Sequence, residues 1–137
     1  MHAPRSPYNL IQEHVQADPW RVFVVCIFCN LTKRVDAEPL TWRFFDRWPT
    51  AEAASRADVD QVRELIKDLG LGDRRSKTLV KMSQDYLSWN KQNPKDLYGI
   101  GEYASAAYKI FCEHAWSKIP EPKDGALKNY WRWVNSQ

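Results

Sequence analysis

The apolar residues of this chain recur mostly at three- and four-residue steps, the spacing that places side chains on one face of a helix. One such series runs through Val59, Val62 and Ile66, and Gly70 supplies a stop signal after it. The apolar run at residues 22–29 follows Asp18-Pro19, a helix-start signal, and no partner strand is evident elsewhere. The pattern therefore predicts an all-α fold around a buried central helix.

The predicted helices, apart from short ones between residues 51 and 69, cover residues 6–16, 19–30, 38–48, 73–89, 102–115 and 126–135. In the long helix that begins at Asp73, the residues expected to face inward are Leu79, Met82, Tyr86 and Leu87. With 137 residues and no long linker, the chain is expected to form one domain over residues 1–137. Residues 1–5 are expected to be a flexible end.

Composition and charge narrow the function classes only a little. A net charge of +3 and an isoelectric point near 8.8 permit nucleic-acid binding without arguing for it. Residues 62–81 are locally basic, and a solvated helix face explains such clusters in most proteins. The longest apolar run, Val22–Cys29, is too short to span a bilayer.

The three cysteines, Cys26, Cys29 and Cys112, all lie in apolar surroundings, which predicts buried, reduced thiols. Cys26-x-x-Cys29 has the spacing of a redox or zinc pair. No second Cys or His pair completes a zinc site, however, so no metal is expected.

The segment Leu97-Tyr98-Gly99-Ile100-Gly101 joins two predicted helices. Its alternating glycines let a ligand approach the backbone amides closely, and a helix N-terminus follows at once. This arrangement can bind an anion such as a DNA phosphate without reading the bases. The alternative is that the glycines simply make a turn between helices.

That hairpin, together with Pro120-Glu121-Pro122-Lys123-Asp124 before a final helix, resembles the helix-hairpin-helix-Gly/Pro-Asp superfamily of base-excision DNA glycosylases. Within the superfamily, the chain is most similar to the glycosylase domain of the methyl-CpG-binding thymine DNA glycosylase. The stretches that carry this resemblance are residues 6–13, residues 18–21, Leu69-Gly70-Leu71 and Gly99-Ile100-Gly101-Glu102-Tyr103.

The resemblance implies a catalytic role for Asp124, which the residues alone would interpret as a helix cap. A carboxylate near the sugar can stabilise a transition state with oxocarbenium character and orient a water. Superfamily members that also nick DNA carry a Lys where this chain has Tyr103. Tyrosine cannot form a Schiff base. The expected enzyme is therefore monofunctional, and it initiates base excision repair by releasing thymine, uracil or related pyrimidines opposite guanine.

The resemblance also assigns other site residues. Asn30 and Leu31 match the wedge that fills the gap left by an extruded base, and Leu71 matches a second plug. Gln12 and Tyr103 match residues of the base pocket. The residues assigned to DNA binding are Leu97, Gly99, Ile100, Gly101, Asn30, Leu31, Leu71 and Lys77. Leu31 and Ala126 depart from the subfamily, which carries basic residues at both positions.

No cysteine follows Cys112, so the iron–sulfur cluster of members such as endonuclease III is not expected. No cofactor is predicted, although the resemblance allows a monovalent cation held by hairpin carbonyls. The expected partner of this monomer is double-stranded DNA containing a mismatched or damaged pyrimidine, with no membrane involved. The expected location is nuclear in a eukaryote and cytoplasmic otherwise.

Two alternatives remain open at this point. The first is a non-catalytic helix-hairpin-helix module that binds DNA only through phosphate contacts. The second is a helical protein-interaction domain whose glycines are turns, and this domain would show no salt-dependent DNA binding.

Overall fold

The computed structural model describes residues 2–137, and Met1 lies outside them. Within this range the secondary structure is helical, with no strand, which confirms the all-α prediction. The α-helices are Ile11–Val15 (α1), Pro19–Cys29 (α2), Arg34–Arg47 (α3), Ala51–Ser55 (α4), Val59–Ile66 (α5), Gly72–Ser88 (α6), Glu102–Phe111 (α7) and Gly125–Asn135 (α8). Two 3-10 helices cover Lys67–Leu69 and Pro94–Asp96.

Helix α2 forms the centre of the fold, as predicted from its apolar run. Five of its residues are completely buried: Val22, Phe23, Val24, Val25 and Phe28. Helices α1, α3, α6 and α7 pack around it. Asp18 caps its start, because the side chain accepts the amide hydrogen of Trp20 at 3.1 Å. A helix that is apolar on all sides has to be surrounded, so the other helices form a shell around α2.

Helix α6 is the longest helix and carries α4 and α5 on one side. Leu79 and Met82 are fully buried, as predicted. Leu87 was expected inside but is 49% exposed, so that prediction is wrong. Its neighbour Tyr86 packs against Phe23, with ring centroids 6.4 Å apart. Since successive helical residues point about 100° apart, Leu87 is turned towards solvent.

The first helix is shorter than predicted because a buried carboxylate holds residues 6–10 in a loop. Glu13 accepts hydrogen bonds from the amide of Ser6 at 2.8 Å, the hydroxyl of Ser6 at 2.6 Å and the amide of Leu10 at 2.9 Å. These bonds compete with helix formation. The predicted helix over residues 6–16 is therefore reduced to Ile11–Val15.

Helix α3 begins at Arg34, four residues before the predicted start. Its first turn is anchored by Ala37, which is fully buried, and by an ion pair between Arg34 Nε and Glu38 Oε1 at 2.8 Å. Pro39 lies inside the helix, where it removes one backbone hydrogen bond without ending the helix.

The expectation of a flexible end at residues 1–5 is wrong for the described part of this segment. Ala3 is buried, and its amide donates to Oε1 of Gln16 at 2.6 Å. The carbonyl of Pro4 accepts the hydroxyl hydrogen of Tyr130, in α8, at 2.6 Å. These partners are distant in sequence, so local patterning gives no sign of them.

In the described part of the chain, no helix combines the length and the apolar character that crossing a lipid bilayer requires.

We predict that Glu13→Gln lowers the free energy of unfolding by about 1.5–3 kcal/mol, because an amide has one acceptor oxygen and no charge where the carboxylate satisfies three donors. Urea denaturation followed by far-UV circular dichroism measures this change. Glu113→Gln, at an exposed position, is the control and should change stability by less than about 0.5 kcal/mol. Equal effects at the two positions would contradict the role given to Glu13.

Candidate active site

The hairpin at residues 97–101 is held to the protein by its apolar side chains. Leu97 is 2% exposed and Ile100 is 6% exposed, so neither side chain can meet DNA. If the two residues contribute to DNA binding, as the sequence predicts, only their backbone atoms are available for the contact. The amide of Tyr98 donates to Asp85 Oδ2 of α6 at 2.8 Å and fixes the hairpin against that helix.

Gly99 and Gly101 serve the hairpin in different ways. Gly99 adopts a φ of +76°, and a Cβ at this position would lie 2.4 Å from Cγ2 of Thr78. A side chain is therefore excluded both by backbone conformation and by α6. Gly101 has a φ of −107°, and an added Cβ there would meet nothing within 4 Å. Gly99 is required for packing, whereas Gly101 leaves the start of α7 uncovered.

Helix α7 begins directly after Gly101, and no side chain caps it. The amides of its first turn and the positive end of its dipole therefore remain available to an anion. Glu102, in the same turn, is drawn aside into an ion pair with Lys95. The start of α7 thus keeps free the backbone amides that the predicted anion site would use.

Two exposed leucines line one cleft next to the hairpin. Leu31 is 87% exposed and Leu71 is 52% exposed, and both have a positive φ, of 58° and 54°. The cleft, which we call the hairpin cleft, has a volume of about 420 Å³ and is also lined by both hairpin glycines. Exposed apolar side chains on strained backbone are typical of functional positions. The structure thus brings together the two residues that the sequence assigned as wedge and plug.

Arg75 is a residue of this region that the sequence analysis did not single out. It is only 5% exposed, and its Nη2 donates to the carbonyl of Asn30 and to Oγ1 of Thr32. A signal was present in the sequence, because Arg75 lies four residues before Leu79 on the apolar face of α6. This signal was missed because the basic stretch at residues 62–81 was interpreted as one solvated surface.

Lys77, which was also assigned to DNA, is exposed on α6 but is not among the residues lining the hairpin cleft. Asn30 does line the cleft. Its backbone carbonyl is already engaged by Arg75, so its side chain is the part left for another partner.

A polar cluster lies beneath the cleft, where α1, α2 and α7 meet. Gln12 is 4% exposed and donates through Nε2 to the hydroxyl oxygen of Tyr103 at 2.8 Å and to Sγ of Cys26 at 3.7 Å. Burial raises the pKa of Tyr103 well above its usual range, so its hydroxyl keeps its proton. Burial likewise raises the pKa of Cys26 to about 12. The cluster is therefore uncharged, and it suits an uncharged base.

All three cysteines are free thiols, but only Cys26 is buried as predicted, and Cys29 and Cys112 are partly exposed. Burial also raises the pKa of Cys29 to about 11 and of Cys112 to about 12, so neither is a ready nucleophile at neutral pH. Among residues 2–137, no group of three His, Cys, Asp or Glu side chains is placed to hold a metal ion.

Asp124 caps helix α8 through a hydrogen bond from the amide of Leu127 to Oδ2 at 3.0 Å. It lines a second cavity of about 580 Å³, with Tyr103 and the loop Ile119–Lys123. Asp124 and Tyr103 therefore face a common cavity, and the negative charge of Asp124 adds a small contribution to the raised pKa of Tyr103, after burial and the thiols of Cys26 and Cys29. Three lysines, Lys95, Lys109 and Lys123, also line this aspartate cavity.

Tyr103 lines both cavities, so it stands where the hairpin cleft and the aspartate cavity adjoin. A group that entered the hairpin cleft past the leucines would reach Tyr103, which Gln12 supports from beneath, and Asp124 lines the adjoining cavity. The arrangement can bind DNA phosphate at the hairpin, accept an uncharged ring and present a carboxylate to the atom that joins the two.

A family model for the HhH-GPD superfamily base excision DNA repair protein matches residues 30–135, which include the hairpin, Tyr103 and Asp124. The chain belongs to the HhH-GPD superfamily. Gln12, by contrast, precedes the matched range, so the assignment of Gln12 to the base pocket depends on the geometry described above.

Three relatives of this HhH-GPD domain are similar over part of their length. A methyl-CpG-binding domain protein 4-like protein of Arabidopsis thaliana is 36% identical over 131 residues, which is 96% of this chain and 29% of that protein. A thymine-DNA glycosylase of Aeropyrum pernix is 29% identical over 66% of this chain and 44% of its own length. A thymine/uracil-DNA glycosylase of Pyrobaculum aerophilum is 28% identical over 65% of this chain and 42% of its own. The HhH-GPD chain thus spans less than half of these relatives.

Among solved structures, that of a thermostable thymine-DNA glycosylase superimposes with a TM-score of 0.65 at 17% sequence identity, covering 87% of this chain and 65% of the other. This similarity confirms the fold expected from the resemblance.

We predict that Gly99→Ala destabilises the protein by about 2–4 kcal/mol, the sum of a left-handed backbone penalty and an overpacking penalty. Thr78→Ser removes the Cγ2 atom that the new Cβ would meet. In the Gly99→Ala background it should recover about 1–2 kcal/mol, the overpacking part alone. Urea denaturation of the single and double variants measures both values.

Gly101→Ala is the matched control, with an expected change within about 0.5 kcal/mol. If Gly101→Ala were as destabilising as Gly99→Ala, or if Thr78→Ser recovered nothing, the described packing of the hairpin on α6 would be wrong.

Proposed function

We propose that this domain is a monofunctional, mismatch-specific DNA glycosylase that hydrolyses the N-glycosidic bond of thymine or uracil opposite guanine. The observation that carries the proposal is the place of Asp124, a carboxylate fixed at the start of α8 beside Tyr103 and open to the aspartate cavity. Family membership makes DNA the natural substrate class, and two of the relatives are named for thymine or uracil release.

Asp124 is suited to the bond-breaking step. Its cap hydrogen bond uses Oδ2 and fixes the orientation of the carboxylate. The second oxygen is left to face the sugar, where a negative charge stabilises the developing oxocarbenium ion. The same carboxylate can orient a water and accept its proton as the water oxygen bonds to the sugar carbon. The proton would go to the carboxylate and the bonding electron pair to the departing base.

The base pocket is formed by Gln12 and Tyr103. Gln12 donates its amide hydrogens to Tyr103 and Cys26, so its carbonyl oxygen would accept a hydrogen from a pyrimidine edge. Thymine and uracil both offer such a hydrogen at N3. Tyr103 has no amine with which to form a Schiff base, so the product would be an abasic site in an unbroken strand.

Leu31 and Leu71 would enter the duplex as the base leaves it. Extruding a base costs stacking energy, and apolar side chains can fill the space that it leaves. A mismatched base costs least to extrude, which favours mismatch substrates. The open N-terminus of α7 would bind a neighbouring phosphate. We propose that a single copy of the domain acts on double-stranded DNA and that no cofactor takes part.

We predict that Asp124→Asn lowers the single-turnover rate of base release by about 10²–10⁴-fold, the usual contribution of a positioned acid–base group. Asparagine caps a helix as well as aspartate does, so the melting temperature should hardly change. The assay uses duplexes with G·T, G·U and normal pairs, followed by alkali to cleave abasic sites.

Asp58→Asn supplies a matched control, because Asp58 caps α5 by accepting the amide hydrogen of Asp60 at 2.9 Å and lines neither cavity. It should retain full activity. Absence of base release by the parent protein, with salt-dependent duplex binding retained, would indicate a DNA-binding module instead. Strand nicking before alkali would refute monofunctional chemistry, and full activity of Asp124→Asn would refute the assignment of that residue.

A further inference from the structure

Arg75 is a buried cation that contacts both of the segments carrying the exposed leucines. Its side-chain Nη2 donates to the carbonyl of Asn30 and to Oγ1 of Thr32, the residues on either side of Leu31. Its backbone amide donates to the carbonyl of Leu71 at 2.8 Å. This second bond is the first backbone bond of α6, which any residue except proline would make here, so it is the side chain of Arg75 that links the helix after Leu71 to the loop that carries Leu31.

The conformations of Leu31 and Leu71 require such support. Both adopt the left-handed region, with φ of 58° and 54°, which non-glycine residues occupy only when the surroundings enforce it. Leu31 is 87% exposed, so packing of its own side chain cannot enforce the conformation. Three local bonds hold this turn: the amide of Asn30 donates to the carbonyl of Cys26 at 3.0 Å, the amide of Thr32 to the carbonyl of Cys29 at 3.2 Å and the hydroxyl of Thr32 to the carbonyl of Asn30 at 3.3 Å. Arg75 adds the support that reaches this turn from another helix.

Burial of the Arg75 guanidinium is unfavourable for the stability of the fold. A guanidinium that is 5% exposed loses most of its hydration, and its Nη1 is buried without an acceptor among the described residues. Replacing such a buried charge by an apolar side chain of similar size often leaves stability unchanged or improves it. A residue that costs stability in this way is more readily explained by the position that it imposes on its neighbours.

We propose that Arg75 is a positioning residue that fixes the separation of Leu31 and Leu71, so that the two side chains enter a base stack as one rigid wedge. This inference rests on the proposed function for the nature of the target, a DNA duplex. In this proposal the side chain of Arg75 sets the separation of the two leucines, although Arg75 itself need not touch DNA.

The first test concerns the free protein and needs no DNA. Arg75→Met keeps the length of the side chain and removes its donors. Hydrogen exchange of the Thr32 amide should become about tenfold faster, the equivalent of one lost charge-assisted hydrogen bond, while exchange in the core of α2 stays unchanged. Arg43→Met is the matched control, since Arg43 is exposed on α3 and lines neither cavity. Unchanged exchange at Thr32 would overturn the proposal.

The second test measures opening of the base stack in the Asp124→Asn background, so that no base is lost. A 2-aminopurine placed next to the thymine of a G·T pair fluoresces when the stack opens. At saturating protein, Arg75→Met should reduce the opening equilibrium about tenfold relative to Arg43→Met. On a duplex whose thymine faces an abasic site, where no base pair resists extrusion, the reduction should be less than about threefold.

The pattern across the two duplexes separates a positioning role from a general structural one. Equal losses on both duplexes, or no loss on the G·T duplex, would overturn the proposal. Thr32→Val, which removes one acceptor and leaves Arg75 in place, should shift opening in the same direction by a smaller factor. The Thr32→Val variant also provides a test if Arg75→Met fails to fold. An unchanged opening equilibrium for Thr32→Val would then overturn the proposal.

Failure of the proposed function gives a different result. A parent protein that opens the stack but releases no base would refute glycosylase activity while the fluorescence still reports on Arg75. A parent protein that leaves the stack closed would overturn the wedge itself.

Discussion

The burial of helix α2 is the constraint on which the rest of the structure depends. A helix that is apolar around its whole circumference can be stable in water only when other helices cover it, and here four of them do. This packing also creates the site. The covered helix ends at Cys29, so the chain emerges at Asn30–Thr32 next to the starts of α6 and α7. Leu31, Leu71, the hairpin and Tyr103 thus meet where the central helix leaves its shell.

Sequence reasoning predicted those parts of the molecule that depend on local spacing. The central helix, the amphipathic face of α6 at Leu79 and Met82, the Asp124 cap and the hairpin all follow from short-range periodicity, capping and glycine placement. Resemblance then supplied the chemical roles that spacing cannot reveal. The predicted juxtaposition of Leu31 with Leu71 is present, although the two leucines are forty residues apart.

Several errors share one physical cause, which is a polar side chain whose partner lies outside the helical pattern or far away in the sequence. The carboxylate of Glu13 replaced an expected helical turn, and residues near the start of the chain found an acceptor in Gln16 and a donor in Tyr130. Arg75 resembles a surface charge in the sequence, because its acceptors are on Asn30 and Thr32, more than forty residues away. The burial of the Leu97 and Ile100 side chains was likewise not predicted from the hairpin motif. Buried polar groups are therefore where single-sequence reasoning is weakest, because their partners are tertiary.

The bond between the Tyr130 hydroxyl and the Pro4 carbonyl joins residues 126 positions apart. It connects the helix that begins at Asp124 to the start of the chain, so this helix can dock only after the intervening polypeptide has been synthesised. Contacts of such long range form late, because closing a large loop costs entropy before any contact compensates for it. During synthesis, the segment that carries the hairpin would leave the ribosome before Asp124 and the helix that it caps, so α8 would dock onto a hairpin segment that is already complete.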